Sequence, residues 1–171
     1  MRGTYKNTFT QDEVEKRMWS ISTEPKFGIG QRAILLETDE GNVLWDCIAY
    51  IDDETIETIK GKGGLKAIVI SHPHYYTTHL EWAKAFDCPV YISLEDETWL
   101  SQRDTEGGRK FINGATEEII PGVIAAKPGG HFPGSLVLLW NKMLMIADTL
   151  LTVPVSRLIT YEGRIDSANF Q

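Results

Sequence analysis

Residues 66–93, KAIVISHPHYYTTHLEWAKAFDCPVYIS, decide how this chain folds. KAIVIS (66–71) and CPVYIS (88–93) are short apolar runs rich in branched side chains, as buried strands are, and TTHLEWAKAF (77–86) between them repeats its apolar residues at helical spacing. Strand, helix and strand in that order predict a β-α-β unit. The loop joining the first strand to the helix then sits at the carboxyl end of a strand, where α/β proteins place ligand sites. That region holds His72, His74 and His79, three of the chain's four histidines.

Working outward, RAILLET (32–38) and NVLWDCIAY (42–50) predict two strands of a hairpin, turned by the Asp, Gly and Asn of DEGN. DDETIETIKGK predicts a short helix, with acidic residues in its first turn, Ile56 and Ile59 on one face and Gly61 near its end. Residues 1–25 read as a polar lead-in with one short helix, QDEVEKRMW, before the breakers of STEPKFGIG. Beyond the central unit, LEDETWLSQ predicts another short helix and RDTEGGRKFINGATEE a loop. GVIAAK (122–127), SLVLLW (135–140) and KMLMIAD (142–148) predict three strands, the last two reversing at Asn141. A hairpin, then alternating helices and strands, then a meander predict one layered α/β domain over residues 1–171.

The composition narrows the function. With 171 residues, 42% apolar and 24% charged, the chain can bury a core, and its net charge of −7 with scattered Lys and Arg argues against nucleic acid as a partner. The N-terminus lacks the apolar stretch of a signal peptide and no run approaches membrane-spanning length, so a soluble, cytoplasmic protein with no membrane partner is expected. Cys47 and Cys88 stand in apolar contexts without CxxC spacing and read as buried free thiols. GKGG lacks the Lys-Ser/Thr helix start of a phosphate loop.

The histidines remain. His72 and His74 flank Pro73, and in an extended loop their side chains point the same way. His131 lies in KPGGHFPGS, a predicted turn whose glycines allow close approach and whose prolines stiffen it. Three imidazoles from two loops can form a tetrahedral zinc site with one position open. His79 shares helical spacing with Trp82, Ala83 and Phe86 and reads as a packed residue.

These residues carry a resemblance to the metallo-β-lactamase fold superfamily. AIVISHPHYYTTHLEWAKAF resembles its metal-binding segment and GGHFPGSLVLL its Pro-Gly-His-Thr-Pro-Gly-Ser turn. MLMIADTL resembles its strand ending in a metal-bridging Asp, and NVLWDCIAY an early strand ending in a structural Asp, here Asp46. Four motifs in the same order over residues 42–150 are more specific than any histidine pair. The resemblance implies an αββα sandwich in which His72, His74 and His131 bind the first metal and Asp148 lies beside it or bridges to a second.

The chain also departs from the pattern. In the superfamily's HxHxDH motif the Asp and last His hold the second metal and the Asp helps orient the attacking water; the matching positions here are Tyr76 and Thr77. The sequence ends soon after Asp148 with no further histidine, so an abbreviated C-terminal half and a single metal are expected. The expectation is a hydrolase-like protein with one zinc, iron or manganese being the alternatives. Zinc lowers the pKa of its bound water towards about 7, giving a hydroxide that attacks an ester, thioester, lactone or related bond of a small molecule. Asp148 is the candidate to orient that water; Tyr76 is a lesser catalytic candidate, since adjacent tyrosines in apolar loops more often pack. The rival expectation is a catalytically silent protein of this fold that serves as a binding or assembly module. Self-association is also expected, from a sheet face that an abbreviated sandwich leaves uncovered.

Overall fold

A computed structural model describes residues 4–152 and 158–160. Strands β1 (Lys6–Gln11), β2 (Met18–Glu24), β3 (Arg32–Leu36) and β4 (Val43–Trp45) form an antiparallel meander. Parallel strands β5 (Ala67–Val69), β6 (Val90–Ser93) and β7 (Arg109–Ile112) extend it from β4 into a seven-stranded sheet in sequence order. Helix α1 (Asp53–Gly61) makes the β4-to-β5 crossover and α2 (His79–Phe86) the β5-to-β6 crossover. A second, antiparallel sheet has the order β11 (Met143–Met145), β10 (Val137–Trp140), β9 (Val123–Ala126), β8 (Thr116–Ile120). Strands β12 (Leu150–Thr152) and β13 (Leu158–Thr160) pair with each other.

The alternation of strand side chains builds two cores. Leu35, Leu44, Ile68, Val90 and Ile92 face the helices and pack with Ile59 of α1 and Trp82 of α2. Their neighbours Leu36, Val43, Trp45, Val69 and Tyr91 face the other way, onto Val123, Ala125, Leu138, Trp140 and Met145 of the second sheet. The central strands are buried on both faces, which is why they read as continuous apolar runs. Among the described residues this gives helix, sheet and sheet layers, three of the four expected of an αββα sandwich. The predicted abbreviation of the C-terminal half concerns residues beyond Thr160, outside the described residues. Among the described residues no helix is long and apolar enough to cross a membrane.

Two expectations need correction. The predicted helix QDEVEKRMW is instead the turn between β1 and β2, where Asp12 Oδ1 accepts the Val14 and Glu15 N–H groups at 2.9 and 2.8 Å. Val14 is 93% exposed, so a helix there would have had no apolar face to bury. Residues 103–118, read as a loop, contain β7 and the start of β8. These edge strands are short, and Lys110, Phe111, Thr116, Glu117 and Glu118 are exposed, so neither an alternating nor a continuous apolar pattern marks them. The reversal at Asn141 is confirmed: Asn141 and Lys142 both have positive φ, 48° and 65°, as a tight two-residue hairpin turn requires.

Candidate metal centre

Three loops at one end of the sheets converge. The first leaves β5 after Val69, and Asp46, just past β4, holds it: its Oδ1 accepts the Ser71 N–H at 2.7 Å and its Oδ2 the Ser71 hydroxyl at 3.0 Å. Asp46 takes a left-handed backbone (φ 61°), which Asp tolerates better than most residues. Burial pushes its carboxyl up to about 7, against the two Ser71 hydrogen bonds. Ser71 Oγ also lies 2.8 Å from His72 Nδ1. With Asp46 ionised, the Ser71 hydroxyl donates to it, so His72 Nδ1–H donates to Ser71 Oγ and the Nε2 lone pair points into the cluster. His72 is extended, but a 3-10 turn follows at once over Pro73–Tyr75, in place of the extended loop expected from sequence. Gln31 Nε2 steadies that turn by donating to the His74 carbonyl at 2.7 Å.

The second loop carries His131. Gly129 and Gly130 adopt positive φ, 73° and 106°, letting the chain double back. The 3-10 segment Leu94–Trp99 grips this loop at three points. Glu95 holds Lys127 Nζ at 2.6 Å, the buried Asp96 accepts the Gly134 N–H at 2.9 Å, and Trp99 meets Phe132 edge-on at 5.4 Å. Gly134 has no room for a side chain, because a Cβ there would lie 2.7 Å from Ser93 Cβ and 2.8 Å from Asp96 Cγ. The loop's far end is tied to the first loop by the Leu136 N–H, which donates to the Ser71 carbonyl at 2.8 Å. The third loop is the 3-10 turn Ala147–Thr149 after β11, which presents Asp148.

The result brings together four donor atoms. His72 Nε2 lies 3.2 Å from His74 Nδ1 and 3.4 Å from Asp148 Oδ2, and His131 Nε2 lies 3.4 Å from His74 Nδ1 and 3.9 Å from Asp148 Oδ2. His74 Nδ1 and Asp148 Oδ2 are 4.0 Å apart. Donors about 2.1 Å from a tetrahedral ion stand roughly 3.4 Å from one another, so these separations fit one ion. Hydrogen bonding fits less well: a ring nitrogen offers one proton or one lone pair, yet His74 Nδ1 faces two other ring nitrogens. Burial lowers the His72 pKa to about 4 and also lowers that of His131, so both favour the neutral, metal-binding form. The His72 and His131 side chains are 2% and 7% exposed, whereas those of His74 and Asp148 are 48% and 44% exposed. The group therefore has a buried floor and one face open to solvent.

His79 and Tyr76 stay outside it. His79 is buried, its Nδ1 bonded to the Tyr76 carbonyl and its Nε2 accepting from Arg109 Nε at 2.7 Å, as its helical spacing predicts. Tyr76 is buried in the helix-side core, and burial raises its hydroxyl pKa. Sequence reading missed Ser71, Glu95, Asp96 and Phe132. The ring of Phe132 lies over His72, stacked at 5.7 Å. Phe132 adjoins His131 and was within reach of a motif argument; Glu95 and Asp96, in an acidic run that looks like any helix start, were not.

No protein-family model matches the chain. It is 43% identical over 141 residues to the uncharacterized protein YmaE of Bacillus subtilis (strain 168), an overlap that covers 82% of this chain and 50% of YmaE. The chain thus spans half the length of that relative. Among solved structures, the DIM-1 metallo-β-lactamase superposes with a TM-score of 0.67 at 16% identity, covering 86% of this chain and 73% of that one. A metallo-β-lactamase from Pontibacter korlensis superposes with a TM-score of 0.67 at 17% identity, covering 86% and 75%. The protein has the metallo-β-lactamase fold, with three histidines and an aspartate converging at the ends of its strands.

Proposed function

We propose that the protein is a metal-dependent hydrolase that holds one divalent ion, zinc by preference, through His72, His74 and His131, with Asp148 beside the ion on the side left open for water. The observation that carries this reading is the mutual spacing of the four donor atoms, all within 4.8 Å of one another. Among the described residues no second such group stands beside it, and Tyr76 and Thr77 occupy the places where the resemblance would put further ligands. Zinc held by His72, His74 and His131 would lower the pKa of a water beside Asp148 and polarise a carbonyl oxygen. The chain's own residues do the rest. His72 and His131 form the floor and, with Phe132 over His72, keep bulk water from the buried side. Asp148, on the open face, can accept a proton from an attacking water. The bond attacked is an ester, thioester, lactone or related linkage of a small molecule.

Hydrolysis assayed over small esters, thioesters, lactones and phosphodiesters tests this reading. We expect turnover on at least one class that a chelator abolishes and added zinc restores. Zinc-loaded protein inert across the panel would favour the second reading, a silent binding module, which the buried Tyr76 in place of the expected Asp supports.

A further inference from the structure

Among the described residues the seven-stranded sheet is wider than the four-stranded one, and beside β11 the inner face of β2 and β3 borders a cleft of about 890 Å³. That volume lies within the range of ligand pockets. The chain has four methionines; three of them, Met18, Met143 and Met145, line this cleft, with Ile34 and Trp45 beside them. Met18, Ile34 and Met143 are only partly buried. Unbranched, polarizable methionine side chains adapt to flexible apolar ligands.

The cleft is polarised along its length. Met18 pairs with Leu36 and Ser22 with Arg32, so Met18 and Arg32 stand at opposite ends of the β2–β3 wall, about 13 Å apart at strand rise. Across the cleft the chain runs from Met143 to Asp148, so the second wall also passes from apolar to polar. Arg32, Asp46, Tyr75 and Asp148 share the polar end, and Asp148 belongs to the cleft and to the donor group alike.

We propose that this cleft takes the apolar tail of the substrate, an unbranched acyl chain on the carbonyl to be hydrolysed, with the oxygen-bearing head between Arg32 and Asp148. The proposal rests on the hydrolase reading and narrows it to acyl esters and thioesters. Water adds to the acyl carbon, the C–O or C–S bond breaks, the leaving alcohol or thiol takes up the proton, and a carboxylic acid with its apolar tail is released.

Methyl-labelled methionine makes a nearly cleft-specific probe. In NMR titrations of the full chain, octanoate should shift the Met18, Met143 and Met145 methyl signals, while acetate shifts none. Ile34→Arg should remove the octanoate response, its dispersed methyl spectrum showing that it still folds. In the zinc-loaded protein, kcat/KM for an octanoyl ester should exceed that for the acetyl ester by at least about tenfold, a gain equivalent to burying roughly two methylenes. Cleft methyl signals that ignore octanoate would overturn the proposal, as would cleft signals that shift with protein concentration alone because a second copy seats there. Chelator-sensitive acetyl-ester turnover without an octanoate response would sink the cleft and leave the hydrolase standing. An octanoate response without metal-dependent turnover would do the reverse.

Discussion

Burial holds the His72 imidazole near pKa 4 instead of its ordinary 6.5, against the opposing pull of the Asp148 carboxylate. The unfolded chain takes up this proton near pH 6.5 and the folded chain does so only near 4, so the stability from a neutral His72 is present above pH 6.5 and lost as pH falls towards 4. Asp46 runs the other way: its folded pKa is raised from 3.8 to about 7, so its share of stability is lost as pH rises through that window. Comparing metal-free wild type with His72→Gln isolates the histidine. Between pH 7 and 5 the wild type should lose more stability than the variant, on the order of 1–2 kcal/mol in urea unfolding, and parallel profiles would refute the assignment. Ser71→Ala removes the hydroxyl between Asp46 and His72 and should weaken zinc binding by about tenfold in chelator competition. His72, His74, His131 and Asp148 were all legible in the sequence because motifs flank each of them. Ser71 was not, because a serine at a strand end has no signature until its neighbours are placed.

A single short element positions the loop that carries His131. Segment Leu94–Trp99 meets it through Glu95, Asp96 and Trp99, so loosening that grip should move His131 before it unfolds the sheets. Asp96→Ala should raise the zinc Kd by about 10- to 100-fold and change the cobalt-substituted absorption spectrum. Asp96→Asn, which keeps an acceptor for the Gly134 N–H, should restore most of the affinity. An alanine variant that is less stable but binds zinc normally would show Asp96 to be structural only. The central β-α-β unit could be read from sequence because both its strands are apolar throughout and its helix is amphipathic. The β1–β2 hairpin could not, because its polar residues alternate with Phe9 and Ile21 too sparsely to outweigh the helix-forming QDEVEKR.

The molecule is held by two cores on either side of one sheet, and the donor group sits at the strand ends where both cores stop. Trp82, fully buried between α2 and the sheet, donates its indole N–H to the Ile48 carbonyl at 3.0 Å. Trp82→Ala should cost about 3–5 kcal/mol of folding stability while zinc stoichiometry at low temperature stays unchanged. The layered α/β class was legible from the order of elements and the four motifs. The width of the large sheet was not, since edge strands such as β7 bury too little to leave a pattern, and so the methionine-lined cleft beside β11 was invisible. The central claim is that three histidines from two loops hold one ion beside Asp148. Native mass spectrometry of tag-free protein after equilibration with zinc tests it most directly. The account predicts one zinc per chain, lost for the most part in His131→Ala. A chain that takes up no zinc, or a His131→Ala variant that retains it fully, would contradict the account.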